Sequence, residues 1–280
     1  MNHSIAGDAS VRKIYSHPGK LRLELSSFLA QRDLIFLFIH RDIKIRYKQT
    51  LVGITWAIIQ PLLTMGVFAL VFNRLQVAVS GEIPYALFSY CALVPWTYFT
   101  HALTKANDCV VQNGAIITKA AFPRLVLPIA AVLAGLADFL IAFLILLAMM
   151  FHYNIAFHFR MLVLPVYLLL TVALTLGLGL WLATLNVKYR DVRNALPFLL
   201  QLGLLASPVA YGSHLYPKEF RLFYHLNPMA GLIEGFRWSL LGVGPAPAMD
   251  LFINCLMIMV ILVSGLYYFR SKEDFFADIV

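Results

Sequence analysis

Apolar residues run along this chain in long stretches, with the charges gathered between them. A membrane-crossing helix needs about 20 mainly apolar residues, because the hydrocarbon core is about 30 Å thick. Six stretches meet that length: residues 51–72, 83–104, 125–150, 161–187, 194–217 and 251–269. Within them the third alone carries a charged residue, Asp138. Pro61 and Pro95 fall inside the first and second, and Pro197 and Pro208 interrupt the fifth. Membrane helices accept proline where neighbours satisfy the freed carbonyls, so each reads either as a gating kink or as a packing kink. The pattern predicts an all-α integral membrane fold with six transmembrane helices filling residues 51–270.

The polar-to-apolar pattern changes between the spans. Ahead of the first, in FIHRDIKIRYKQ, a helical wheel puts Phe36, Ile39, Ile43 and Tyr47 on one face and Arg41, Lys44 and Lys48 on the other. That is the pattern of an amphipathic helix lying in the membrane interface with its basic side wet. It is assigned to residues 26–50, leaving 1–25 as an unassigned cytoplasmic tail and 271–280 as a second tail. The basic cluster Arg41, Lys44, Arg46 and Lys48 serves as a topological anchor and also suits a phosphate-bearing lipid head group. The segment 105–124, KANDCVVQNGAIITKAAFPR, is long for a turn. It reads as a solvated connector or as a short helix that docks a soluble partner. In 218–250, LNPMAGLIEGFRWSLLG starts a helix at Asn227-Pro228, since Asn caps and Pro suits the first turn. Glu234 and Arg237 are spaced to pair across one turn. This segment is too apolar for a free loop, so re-entrant or interfacial helices are predicted there.

Composition sharpens the class. The chain is 61% hydrophobic and 13% charged, with a mean hydropathy of +0.78. Soluble domains are about 45–50% apolar and about 25% charged. A cytosolic enzyme, a disordered chain and a secreted disulfide scaffold are excluded. The net charge is +8, and its placement fixes a predicted topology. With the N-terminus inside, 17 Lys and Arg fall on inner segments and 5 on outer ones. The positive-inside rule then gives both termini in the cytoplasm. The basic excess belongs to cytoplasmic loops, not to nucleic-acid binding. The first forty residues lack the apolar core and cleavage site of a secretory signal, so the N-terminus is expected to stay where it is made.

Catalytic signatures are missing from the sequence. It contains no P-loop, no G-x-S-x-G and no H-E-x-x-H. Cys91, Cys109 and Cys255 are far apart, and His152 and His158 have a poor metal spacing. Asp138 reads as a structural hydrogen-bonding group ahead of a proton relay, although intramembrane acids are often functional.

Four segments, in order and on consistent sides, carry a resemblance. RDIKIRYKQTLVGITWAIIQPLL (41–63), KAAFPRLVLPIA (119–130), NVKYRDVRN (186–194) and LNPMAGLIEGFRWSLLG (226–242) resemble the permeases of polysaccharide-exporting ABC transporters. The likeness runs from about residue 30 to 270. It implies the permease subunit of an exporter for a polyprenyl-pyrophosphate-linked glycan such as O-antigen, capsule or wall teichoic acid. Two copies of the chain would form a channel in the bacterial inner membrane. Two separate ATPase chains would bind ATP and Mg, and this chain would hold no cofactor and catalyse no reaction. Arg41, Lys44, Arg46 and Lys48 lie where an inner-leaflet head group would arrive, at the lateral-gate entry. Spans one and five would line the channel through Trp56, Gln60, Thr64, Phe68, Phe72, Phe198, Gln201 and Tyr211. Their glutamines suit either a polar channel or helix–helix hydrogen bonds. Lys105, Asn107, Asp108, Lys119, Phe122 and Arg124 would couple to the ATPase. Asn227, Pro228, Glu234 and Arg237 would belong to outer gate helices. The alternatives are a permease for a drug or small lipid, a membrane-embedded glycan transferase or ligase, and an ion-coupled transporter resting on Asp138.

Overall fold

The computed structural model describes residues 32–48, 53–72, 83–119, 122–156, 158–212, 226–244 and 248–276. Among these, every regular element is helical. The 1–25 tail, the start of the predicted interfacial helix, residues 213–225 and the last four residues lie outside the described residues. The chain divides into two units after Asp33, and the architecture belongs to the second.

Helix α1 is Arg32–Lys48 and α2 is Gly53–Phe72, the first predicted span. Helix α3, Tyr85–Gln112, contains the second span and runs on past Thr104 into the predicted inner loop. One turn, α4 (Gly114–Ile117), follows. Helices α5 (Val126–Ala134) and α6 (Leu136–His152) make up the third span, joined through Gly135. A 3-10 turn at Phe159–Val163 leads into α7, Leu164–Lys188. Helix α8 is Asp191–Ala206, which shortens the fifth predicted span. The cause is Pro208, which disfavours helical backbone in the residue before it; Ser207 is extended, at φ −103° and ψ 149°. Helix α9 is Pro228–Leu241 and α10 is Ala248–Lys272, closed by a 3-10 turn at Glu273–Phe275.

Helix α3 is the hub, and α2, α5, α6, α7, α8 and α9 all pack on it. Its large side chains Tyr85, Tyr90, Trp96, Tyr98 and Phe99 are buried. Protein surrounds this helix, so it can carry polar residues that lipid would penalise. Among the described residues, three helices are long and apolar enough to cross a membrane by length and composition: Val126–His152, Phe159–Lys188 and Leu251–Lys272. Their outward residues, among them Leu144, Leu169, Leu256 and Val263, are exposed. Such an apolar exterior is a liability in water and the expected surface in lipid.

Close helix packing rests on small residues. A Cβ at Gly177 of α7 would stand 2.8 Å from the Cα of Leu262 in α10. Beside this crossing, the Trp181 indole N–H donates to Ser264 Oγ at 3.2 Å, and its ring stacks on Tyr268 with centroids 4.4 Å apart. Helix α9 starts as its sequence predicts, with the Asn227 side chain accepting from the Met229 N–H at 3.1 Å. It ends at Gly242, whose φ of 70° favours glycine. Its 14 residues reach only about 21 Å, less than a hydrocarbon core. They are buried against α3, α7 and α10, in keeping with a re-entrant element.

Candidate functional site

The first site element is α1, which departs from the wheel drawn from the sequence at Phe36 and Arg41. Phe36, Leu37 and Ile45 are exposed, while Phe38 is buried and stacks on Phe122 with centroids 5.7 Å apart. Arg41, expected on the wet side, turns inward. Its Nη1 donates to Asn113 Oδ1 at 2.8 Å, its Nη2 pairs with Asp42 at 2.8 Å, and its guanidinium lies 4.5 Å from the Phe38 ring centroid. Arg46 also turns inward, pairing with Asp138 of α6 and approaching His101 Nδ1 of α3 at 3.4 Å. The Tyr47 hydroxyl donates to the same Asp138 carboxylate. Burial, then the hydrogen bond to Asp138, pushes the Tyr47 phenol up from its ordinary value, so it remains protonated and donating. Lys44 and Lys48 stay exposed. Ile39, Ile43 and Tyr47 are half-buried on the side the wheel gave them, so the departures are Phe36, which faces outward, and Arg41, which a helix lying against protein turns toward polar partners. Successive contacts of α1 climb α3 from Asn113 to His101 and the third span from Phe122 to Asp138.

Between α1, α3 and α5 lies a cavity of about 480 Å³. Arg41, Arg46, Tyr47, Lys105, Gln112 and Asn113 supply its polar wall, with Asp42 among them. Ala102, Ala131, Ala134 and Gly135 form the small-residue wall that leaves the space open. Arg41 is paired with Asp42 and Arg46 with Asp138, so Lys105 leaves the chamber with one positive charge in excess beside two amides, a balance that attracts an anion. Lys105, assigned from the resemblance to ATPase coupling, stands at this chamber.

Two other residues assigned from the resemblance to ATPase coupling are not on the surface. Asn107 and Asp108 are 1% and 8% exposed. Asn186 Nδ2 donates to the Asn107 carbonyl at 3.0 Å and to Asp108 Oδ1 at 3.2 Å. Asn107 Nδ2 donates to Asp108 Oδ1 at 3.0 Å, and Arg193 pairs with Asp108 Oδ2 at 3.3 Å. Buried polar side chains must find partners, and these tie the end of α3 to the turn joining α7 and α8. Lys119 is exposed, and Phe122 and Arg124 are half-buried. The Arg124 backbone N–H donates to Glu273 Oε1 at 2.9 Å, fastening the entry of the third span to the C-terminal turn.

The residues expected from the resemblance to line a channel divide into two groups. Gln60, Phe198 and Gln201 are exposed on α2 and α8. Phe68 and Phe72 instead meet edge to face at 6.1 Å and pack against Tyr85 and Phe88, fastening α2 to α3. The Thr64 hydroxyl donates back to the Gln60 carbonyl at 3.0 Å. Trp56 lies on α2 with its side chain outside the described residues. The Tyr211 hydroxyl donates to the Leu205 carbonyl at 2.8 Å.

Arg237 of α9 is 3% exposed. Its guanidinium donates to the carbonyls of Pro208, of Val209 at 2.7 Å, of Tyr211 at 3.2 Å and of Phe88 at 3.3 Å, and sits 3.6 Å over the Phe88 ring. The Tyr85 hydroxyl donates to the remaining carbonyl of this run, Ala210, at 2.6 Å. Asn227 Nδ2 donates to Ser207 Oγ at 2.9 Å. The segment after α8, broken out of helix by Pro208, thus has its carbonyls satisfied by one buried cation and one tyrosine. Glu234, the partner expected for Arg237, is half-buried one turn away.

The family model described as ABC-2 type transporter matches residues 33–241. The chain belongs to the ABC-2 type transporter family. This ABC-2 chain is 29% identical over 207 residues to the O-antigen export system permease protein RfbA of Klebsiella pneumoniae, covering 73% of the chain and 79% of that protein. It is 28% identical to a protein of the same name from Myxococcus xanthus, covering 88% of the chain and 95% of the relative. It is 23% identical to the polysialic acid transport protein KpsM of Escherichia coli, covering 89% and 97%. In the ABC-2 chain, sequence reasoning missed Asn113, Asn186 and Glu273 as site-forming groups and counted Arg193 only as an inner charge. Asn186 had one usable signal, an amide at the end of an uncharged span.

Proposed function

We propose that this chain is the membrane permease of an ATP-driven polysaccharide exporter, taking a glycan carried on polyprenyl pyrophosphate. The observation that carries the reading is the cationic cavity under α1. Arg41, Arg46 and Lys105 line it, and α1 exposes Phe36, Leu37 and Ile45 beside it. A phosphate-bearing head group suits the cations, while its polyprenyl tail stays in lipid against the apolar side of α1. The named activities of the relatives, O-antigen export and polysialic acid transport, supply the class of cargo.

The finer parts of the reading follow from charge and exposure. Six spans with both termini in the cytoplasm of the bacterial inner membrane accord with the distribution of Lys and Arg. Helix α1 serves as the interfacial element at 26–50, 51–270 as the transmembrane domain, and 271–280 as a cytoplasmic tail. Exposed Gln60 and Gln201 on otherwise apolar helices are costly in lipid, and a second copy of the chain would cover them and close a polar channel. Two ATPase chains binding ATP and Mg dock beneath, near Lys119, Phe122 and Arg124. The chain itself performs no catalytic step.

The test is the ATPase activity of the permease copurified with its ATPase and reconstituted in lipid. Lipid-linked glycan is expected to stimulate hydrolysis, and R41A and K105A to reduce that stimulation about tenfold each, the loss of one charge-assisted phosphate contact. Failure of any ATPase to copurify would count against the reading, as would stimulation by a drug-like amphiphile and not by the glycan lipid.

A further inference from the structure

The cavity under α1 has a carboxylate beside it that the transport reading does not use. Asp138 is 8% exposed, in the first turn of α6, just beyond the Gly135 that lines the cavity wall. It holds Arg46 by an ion pair and takes the hydrogen bond of Tyr47, both on the last turn and a half of α1. Arg46 and Tyr47 also line the cavity. The same guanidinium therefore faces an anion site and a fixed internal anion.

Resting on the head-group reading, we propose that Asp138 is an internal competitor for Arg46, and that an arriving phosphate head group displaces it and frees the C-terminal end of α1 from α6.

The chemistry permits this exchange. A guanidinium binds carboxylate and phosphate through the same planar fork of donors. The Arg46 side chain is 32% exposed and that of Asp138 10%, so Arg46 can turn toward the cavity without leaving the protein. Asp138 keeps a donor when Arg46 leaves, because the phenol of Tyr47 is held protonated. Arg41 and Lys105 remain in the cavity whichever way Arg46 points. Arg41 is fastened to Asn113 and Asp42 rather than to α6. The pocket thus contains two standing cations and one that reports occupancy. The residues that follow Lys48 lead into α2, the helix with exposed Gln60. Release of the Arg46–Asp138 pair would loosen the last turn of α1 from α6. A ligand moves such an equilibrium only by binding one state better than the other, and the competition for Arg46 supplies that difference.

The experiment uses the full chain with its ATPase in nanodiscs of phosphatidylethanolamine. The probe is polyprenyl pyrophosphate without glycan. D138N removes the competitor and is expected to bind the probe about five-fold more tightly, the size of a partly exposed ion pair. The gain should vanish in R46A/D138N, which should match R46A. Because D138N can compromise folding, a second measurement leaves Asp138 in place. Spin labels at Lys48→Cys and Leu140→Cys, both exposed positions, should move apart when the probe is added. If R41A and K105A weaken binding while D138N binds like wild type and the labels do not move, the competition is wrong and the head-group site stands. If R41A, R46A and K105A all bind like wild type, the head-group site itself is wrong and the competition falls with it. Movement on substituting phosphatidylglycerol for the host lipid, without probe, would assign the anion to bulk lipid and overturn displacement by the substrate.

Discussion

Arg237 is the residue that holds the segment Pro208–Tyr211 against α3 and α9. Four carbonyls from two segments accept from its guanidinium, and the Phe88 ring lies under it. Removing a buried charged partner strands the groups it satisfied. R237A is expected to cost about 3 kcal/mol or more, read as a fall in the thermal unfolding midpoint of the detergent-solubilised protein. R237K should recover less than half of that, because one ammonium cannot span the same set of carbonyls. Recovery to the wild-type midpoint would show that charge, not the planar fork, holds the segment. The sequence marked Arg237 and offered it Glu234, the neighbour one turn away. The acceptors it reaches are carbonyls 26 to 29 residues upstream and one 149 residues upstream, which local spacing cannot reveal. Arg46 and Asp138 repeat the lesson. Each was visible as an unusual charge, and their pairing depends on how α1 docks.

At the scale of elements, the hydropathy pattern located the helices well because a membrane demands long apolar runs. It was least informative for α3, whose surroundings are protein, and for α8, where Pro208 ends the helix early. The Asn227-Pro228 start of α9 was legible because capping is local. The crossing of α7 and α10 was not legible, since Gly177 and Gly265 look like ordinary glycines until the helices meet. A side chain at Gly265 has no room, with the Gly177 carbonyl 2.5 Å from where a Cβ would stand. G265L should force α10 away from α7, expected as loss of the folded species in size-exclusion chromatography. A normal elution profile and midpoint would show that the crossing yields. A milder disturbance is expected at the turn joining α7 and α8. N186A removes the donor to Asn107 and Asp108, at a cost of about 1–3 kcal/mol for stranded buried groups. Limited trypsin cleavage at Arg190 or Arg193, both exposed, should then be faster. An unchanged rate would mean the network does not order this turn.

At the scale of the whole molecule, α3 joins two levels. Its C-terminal half carries both the Asn107–Asp108 network and the cationic cavity lined from Ala102 to Asn113, and Phe88 near its other end lies beneath Arg237. Helices α2 and α8 both pack on this hub and present Gln60 and Gln201 outward. In the proposed dimer those outward faces line the channel. Single cysteines at Gln201, in a background with Cys255 replaced, are expected to cross-link two protomers with a short bifunctional reagent. Cross-linking from Leu256→Cys on the exposed face of α10, and none from Gln201→Cys, would place the interface elsewhere.

Whether the chain exports a lipid-linked glycan is decided by depleting it in its native cell and locating the glycan. Lipid-linked polymer is expected to accumulate inside with the cell surface bare. Surface glycan at its normal level would contradict export and favour a permease for a small lipid or drug, and polymer missing from both places would point to synthesis.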